Sequence, residues 1–223
     1  MHTTKILNYD PCSYDFRGVI ADLLGRQDLT TLTADYTDGT DRAANSLYKN
    51  MEQSPHFRRL YAGLESESGQ AFYALYVRFV REVIRPQYAE PIYYQRRPSH
   101  RILFADTPGQ SRFHRDRDYG HHGSEVNYLV VQTPAFATNT IWIESEVGRA
   151  DYAPVVLQPG QYLRFKGVDL AHGAQLNGTG CSRVSFDFRI IPYSAAPTGI
   201  GAAADPAETN PVRKNARNFL LCP

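Results

Sequence analysis

The chain has 223 residues, of which 42% are hydrophobic and 21% are charged, and this composition excludes an intrinsically disordered protein. The 24 basic and 23 acidic residues give a formal net charge of +1, so the chain lacks the basic surface that drives nucleic-acid or membrane-surface binding. No apolar run approaches the roughly 18 residues of a membrane span, and no signal peptide is evident. We therefore expect one cytoplasmic domain over residues 1–223, with no nucleic-acid or membrane partner and an oligomeric state that the sequence leaves open.

The first part of the chain, about residues 1–90, has the pattern of helices. The clearest helix is predicted over residues 68–85, where apolar residues recur at helical spacing and Pro86 ends the pattern. Shorter helical patterns lie at residues 16–24, 42–51 and 56–64.

After Pro86 the chain consists of short β-branched and aromatic segments, separated by turns rich in Gly, Pro, Asn and Asp. Eight such segments at this spacing predict a β-sandwich or jelly roll. They are residues 92–95, 99–104, 111–116, 125–131, 139–143, 155–157, 161–165 and 182–191. We expect an α+β fold with a jelly-roll core over about 91–192. A C-terminal loop and tail follow over 193–223, in which 212–221 could form a docking helix or a lid.

Three residues are candidate metal ligands. His114 and Asp116 are two positions apart, and on a strand such residues lie on the same face. His172 could supply a third ligand from a distant strand. Two imidazoles and one carboxylate form the facial triad of non-haem Fe(II) oxygenases, which leaves coordination positions open for substrates. A His-x-Asp pair alone is weak evidence, because most such pairs bind no metal.

A candidate anion site follows in the last predicted strand. Arg183 and Ser185 share one strand face, where a guanidinium and a hydroxyl could hold the distal carboxylate of a dicarboxylic cosubstrate. The alternative is that they belong, with Asp187 and Arg189, to the solvated face of an amphipathic strand. Periodicity does not separate the two interpretations.

The combined pattern of these ligands and the Arg-x-Ser pair resembles the Fe(II)/2-oxoglutarate-dependent dioxygenase superfamily. Four longer segments are similar to a narrower bacterial group that includes dioxygenases of streptomycin-type aminoglycoside biosynthesis. These segments are residues 94–98, 113–121, 139–145 and 182–189. The likeness covers about residues 57–192, and it implies a double-stranded β-helix, or jelly roll, with helices packed against it.

The resemblance also implies a site and a reaction. His114, Asp116 and His172 would bind Fe(II), Arg183 and Ser185 would hold 2-oxoglutarate, and O₂ would be the second cosubstrate. The enzyme would hydroxylate, cyclise or desaturate a small polar molecule of secondary metabolism. An aminoglycoside or amino-sugar intermediate would be one such substrate. Halogenation is disfavoured, because halogenating families usually lack the metal-binding carboxylate.

Five further residues are candidates for lining the pocket. Asn127 could hydrogen-bond 2-oxoglutarate or serve as a structural amide. Trp142 and Glu144 are expected on one strand face, where they would suit an amine-bearing or sugar-like substrate; a core position for Trp142 is equally compatible. His121 and His122 could line the pocket mouth or form a polar turn.

Two other functional classes fit parts of this pattern. A cupin-like metal-dependent isomerase would need the metal ligands but no Arg-x-Ser anchor. A jelly-roll carbohydrate-binding module would need neither, and its candidate ligands would not converge.

Overall fold

The computed structural model describes residues 4–32, 54–107, 112–201 and 218–223. The α-helices of this part of the chain are α1 (Phe16–Leu24), α2 (Pro55–Leu64) and α3 (Glu67–Phe79), and α3 continues as a π-helical turn over Val80–Ile84. The predicted helix over residues 42–51 lies outside the described residues. Within the described ranges, no helix combines the length and the apolar character that a bilayer crossing requires.

The bounds of α1 and α2 follow from capping residues. Asp15 accepts the backbone N–H of Gly18 at 2.8 Å, and Ser54 accepts that of Phe57 at 3.0 Å, so each side chain satisfies one donor of a first helical turn. α1 ends at Gly25, whose φ of 63° is the left-handed conformation that glycine adopts without strain. The sequence-based prediction of α1 is confirmed.

The strands form two antiparallel sheets. The larger has seven strands in the order β1-β7-β4-β9-β2-β10, with β3 also paired to β9, and the smaller has three in the order β6-β5-β8. The strands are β1 (Lys5–Asn8), β2 (Ile92–Gln95), β3 (Ser99–Leu103), β4 (Val126–Val131), β5 (Ile141–Ile143), β6 (Ala153–Pro154), β7 (Gln161–Phe165), β8 (His172–Ala174), β9 (Arg183–Pro192) and β10 (Phe219–Cys222).

The two outer strands of the larger sheet, β1 and β10, were not predicted as strands. β1 lies in the part of the chain that was predicted to be helical, and it pairs with β7. β10 pairs with β2, so the described end of the chain is a sheet strand and not a docking helix or lid. The predicted segment 155–157 contributes only an isolated bridge at Leu157.

Each face of the larger sheet packs against a different layer. On one face, the helices bury a cluster of aromatic rings that includes Phe16, Phe72 and Phe186, with the rings of Phe16 and Phe186 4.9 Å apart in an edge-to-face contact. On the other face, Leu129 and Leu163 pack with Ile143 of the smaller sheet. The predicted α+β class, with helices packed against a β-sheet, is therefore confirmed.

We expect Phe186→Ala to destabilise the protein by about 3–5 kcal/mol, because it empties a fully buried position between the helices and the larger sheet. Leu176→Ala is the matched control, since Leu176 is 58% exposed, and it should change the free energy of unfolding by less than about 0.5 kcal/mol. Urea unfolding of the two variants measures the difference. Equal, small effects would contradict the packing described here.

Candidate metal centre

His114 and His172 lie opposite each other on adjacent backbone segments. His114 donates its backbone N–H to the carbonyl oxygen of His172 at 3.0 Å, and His172 donates to His114 at 2.9 Å, which makes an isolated antiparallel bridge. Residues directly opposite in such a bridge present their side chains on the same face. Because His172 begins β8, the smaller sheet determines where both imidazoles lie.

Asp116 reaches the two imidazoles from a turn and not from the predicted strand. It begins a 3₁₀ turn over Asp116–Tyr119, and its backbone N–H donates to the carbonyl oxygen of Gly167 at 2.9 Å. Asp116 Oδ1 lies 3.5 Å from Nε2 of His114 and 3.6 Å from Nε2 of His172. The three ligand atoms all lie within 4.8 Å of one another, and no other such group occurs among the described residues.

The orientation of each imidazole is fixed at its other nitrogen. Nδ1 of His114 contacts the carbonyl oxygen of Arg112 at 2.7 Å, and Nδ1 of His172 contacts that of Leu170 at 3.0 Å. A carbonyl oxygen only accepts, so Nδ1 carries a proton in each ring and Nε2 is the nitrogen that faces Asp116. Burial lowers the pKa of His172. Burial also acts to lower the pKa of His114, but the hydrogen bond with Asp116 outweighs it and raises that pKa. This donor set suits a divalent first-row transition metal.

The second oxygen of Asp116 is held by two side chains of the larger sheet. Asp116 Oδ2 accepts from Asn127 Nδ2 at 2.6 Å and from Arg189 Nε and Nη2 at 3.1 and 3.0 Å. Burial raises the pKa of Asp116, but the His114 hydrogen bond and the Arg189 charge outweigh it, so the pKa lies well below its ordinary value. The amide of Asn127, predicted to contact the cosubstrate, contacts this carboxylate instead.

Arg189 is a site residue that the sequence analysis missed. Strand alternation places it on the same face of β9 as Arg183. One interpretation of the sequence was that this face is exposed to solvent. The structure buries this face, and only 12% of the Arg189 side chain is exposed. Glu125 and Asp187 also approach the Arg189 guanidinium, at 3.4 and 3.9 Å.

Arg183 and Ser185 are buried at the start of β9, with exposed fractions of 5% and 0%. Nη1 of Arg183 donates to Ser185 Oγ at 2.5 Å, and Nε donates to the carbonyl oxygen of Asn139 at 2.7 Å. Burial lowers the pKa of Arg183 to about 10. Among the described residues no carboxylate lies within ion-pair distance of Arg183. The burial of Arg183 and Ser185 excludes the alternative of a solvated strand face at this end of β9.

Trp142 and Glu144, the candidate substrate residues, make contacts within the protein. The indole N–H of Trp142 donates to the carbonyl oxygen of Ala137 at 3.1 Å. Glu144 is buried, and its carboxylate accepts backbone N–H groups from Ala171 at 2.7 Å and from Gly148 and Ala150 at 3.1 Å. These three contacts give Glu144 a structural role, and its predicted contact with a substrate ammonium stays a prediction.

His121 and His122 form a polar turn around Glu125. Nδ1 of His121 lies 2.8 Å from Oε2 of Glu125, and the backbone N–H of His122 donates to Oε1 at 2.9 Å. This turn therefore holds the carboxylate of Glu125, which contacts Arg189.

No protein-family model matches the chain. The chain is 32% identical over 189 residues to the streptomycin biosynthesis protein StrG of Streptomyces griseus, and the alignment covers 85% of each protein. The chain belongs to the StrG family. The predicted resemblance to the streptomycin-biosynthesis group is thereby confirmed.

The fold of this StrG-family chain is similar to that of EctD from S. alaskensis, solved with 2-oxoglutarate and 5-hydroxyectoine. The TM-score is 0.54, and the alignment covers 95% of this chain and 80% of EctD. At 13% sequence identity the likeness concerns the fold. It agrees with the fold that the predicted superfamily implies.

We expect Glu144→Gln to destabilise the folded protein by about 1–3 kcal/mol, because the new NH₂ group faces a backbone donor that loses its acceptor. Glu146→Gln is the matched control, since Glu146 is 70% exposed in its pair with Arg149. Thermal unfolding should separate the two variants, and equal midpoints would contradict the structural role of Glu144.

The same difference should depend on pH. Burial raises the pKa of Glu144, but its three backbone donors outweigh burial and lower it overall. The stabilisation is therefore fully present above the ordinary glutamate pKa of about 4.3 and is lost as the pH falls through the lower folded value. The stability gap between the wild type and Glu144→Gln should narrow over that acidic range, and a constant gap would contradict this assignment.

Proposed function

We propose that this protein is an Fe(II)- and 2-oxoglutarate-dependent oxygenase that oxidises a small polar molecule in antibiotic or other secondary metabolism. The observation that carries the proposal is the convergence of His114, Asp116 and His172, in which the Nε2 atoms of both imidazoles lie 3.5 and 3.6 Å from one carboxylate oxygen. These residues would hold Fe(II) through Nε2, Oδ1 and Nε2. The bound ion supplies the redox chemistry that couples decarboxylation of 2-oxoglutarate by O₂ to oxidation of the substrate.

Arg183 and Ser185 would hold the distal carboxylate of 2-oxoglutarate. A buried guanidinium without an anionic partner is costly, and a ligand carboxylate would relieve that cost by charge-assisted hydrogen bonds. Ser185 already accepts a hydrogen bond from Arg183, so its own hydroxyl proton is available for the same ligand. Asn127 acts in this proposal on the metal ligand Asp116 and not on the cosubstrate.

The order of the strands supports a double-stranded β-helix. Along the chain, β4 of the larger sheet is followed by β5 and β6 of the smaller one, and the chain then alternates between the sheets through β7, β8 and β9. Such alternation winds the chain between two facing sheets, which is the arrangement of a jelly roll. We propose that the metal ligands lie between these sheets, because His172 begins β8 of the smaller sheet and Asp116 contacts Asn127 and Arg189 of the larger one.

The substrate class rests on the family. The name of StrG refers to streptomycin biosynthesis, which supports an aminoglycoside or amino-sugar intermediate as the substrate. Hydroxylation is the simplest outcome, and cyclisation or desaturation would use the same site. Arg183, which is buried and has no carboxylate partner in the described ranges, disfavours a cupin-like isomerase, and the convergence of three candidate ligands disfavours a carbohydrate-binding module.

We expect the anaerobically purified protein to bind about one Fe(II) per chain and Asp116→Ala to lose both the iron and the formation of succinate. The control is Asp118→Ala, because Asp118 lies in the same turn and pairs with the exposed Arg115. Iron content and succinate are measured on both variants after circular dichroism has established their folding. Full iron binding by Asp116→Ala would contradict the assignment of the ligands.

The cosubstrate site predicts unequal effects at two neighbouring positions. Arg183→Ala removes the charge that would pair with 2-oxoglutarate, and the loss of one partner of a buried ion pair costs about 3–5 kcal/mol, or about two to four decades in affinity. Ser185→Ala removes one neutral hydrogen bond, worth about 1 kcal/mol. Anaerobic titration with 2-oxoglutarate gives both dissociation constants. Equal, small changes would mean that this pair is not the anchor.

A further inference from the structure

The two oxygens of the Asp116 carboxylate have different surroundings. Oδ1 faces the Nε2 atoms of His114 and His172 and has room between them for an ion. Oδ2 is turned away from the imidazoles and accepts three N–H groups, one from Asn127 and two from Arg189, at 2.6 to 3.1 Å. Oδ1 is therefore available to a metal ion, whereas Oδ2 is hydrogen-bonded to side chains of the larger sheet.

The two donors to Oδ2 are themselves held in place. Asn127 and Arg189 are directly opposed in the pairing of β4 with β9, so the sheet register sets their spacing. Asn127 Oδ1 accepts the backbone N–H of Gly167 at 3.2 Å, and the carbonyl oxygen of Gly167 accepts from the backbone of Asp116. A Cβ at Gly167 would lie 2.8 Å from Asn127 Nδ2, so glycine permits this close approach.

Arg189 is braced on its other side by acids. Glu125 and Asp187 lie 3.4 and 3.9 Å from its guanidinium, and Glu125 is in turn held by the His121 turn. This surplus of acids fixes a planar fork that a lysine would not reproduce.

We propose that Asn127 and Arg189 form a clamp that makes Asp116 bind the metal through Oδ1 alone. An oxygen that accepts three hydrogen bonds has no lone pair left for a metal ion, so chelation by both oxygens is blocked. With a one-atom carboxylate and two imidazoles, an octahedral ion keeps three open positions, which is the number that a two-atom cosubstrate and O₂ together require. The inference rests on the proposed metal site, and both residues act through Asp116 as positioning residues.

A simpler explanation is that Arg189 only neutralises a buried carboxylate. That role needs a positive charge and no particular geometry, so Arg189→Lys would satisfy it. The clamp needs the fork, and it also needs Asn127, which has no charge. Arg189→Lys and Asn127→Ala therefore separate the two explanations.

The first test is the affinity for Mn(II) alone, measured by titration calorimetry. We expect Asn127→Ala and Arg189→Lys each to raise the dissociation constant about 10- to 100-fold, the usual effect of removing a partner of a metal ligand. The matched controls are Asn177→Ala and Arg97→Lys, which change a buried amide and an exposed ion pair with Glu65 that contact neither Asp116 nor Arg189. If both clamp variants bind Mn(II) as the wild type does, the clamp is contradicted.

The second test counts water molecules on bound Mn(II) by water-proton relaxation, and it needs no variant. The wild type should keep three exchangeable waters, because Asp116 would occupy only one coordination position through Oδ1. Two waters on the wild-type ion would overturn the proposal while leaving the metal site intact. A wild type that binds no Mn(II) would overturn both the proposed function and the clamp.

Discussion

A charge inside a protein needs an opposite charge beside it, and the inner face of β9 carries three charged residues that are largely withdrawn from water. Asp187 and Arg189 find partners in the chain, Asp187 with Arg101 and Arg189 with Asp116 and Glu125. Arg183 has no carboxylate beside it in the described part of the structure. In the proposed site, β9 would therefore contact the metal ligand Asp116 through Arg189 at one end and an anion through Arg183 at the other.

The opposite face of the same strand explains why this arrangement is stable. Phe186 and Phe188 alternate with the polar residues and pack into the aromatic cluster beneath the helices. The strand cannot slip by one residue without exchanging rings for guanidinium groups on both faces, so the core fixes the register of the site. Asp116, two residues after the bridge of His114 with His172, then connects this bridge to Arg189 of the same strand.

Strand alternation was sufficient to predict that Arg183 and Ser185 share a face, and residue chemistry was sufficient to predict that His114, Asp116 and His172 come together. The prediction that Asp116 lies on a strand was wrong, because two-residue spacing does not specify a strand. It lies in a 3₁₀ turn. Alternation also cannot tell which face is buried, so Arg189 was missed and the backbone contacts of the Glu144 carboxylate were not predicted. β1 and β10 pair with partners far along the chain, and local sequence carries no signal for such pairing.

The central claim is that one site holds both Fe(II) and 2-oxoglutarate. The absorption spectrum of the anaerobic protein tests it most directly, because chelation of a low-valent iron by a 2-oxo acid produces a visible charge-transfer band. We predict that adding 2-oxoglutarate to the Fe(II)-loaded wild type produces this band, and that the Arg183→Ala protein needs far more 2-oxoglutarate to reach the same intensity. Iron-loaded wild-type protein that stays colourless at saturating 2-oxoglutarate would contradict the account.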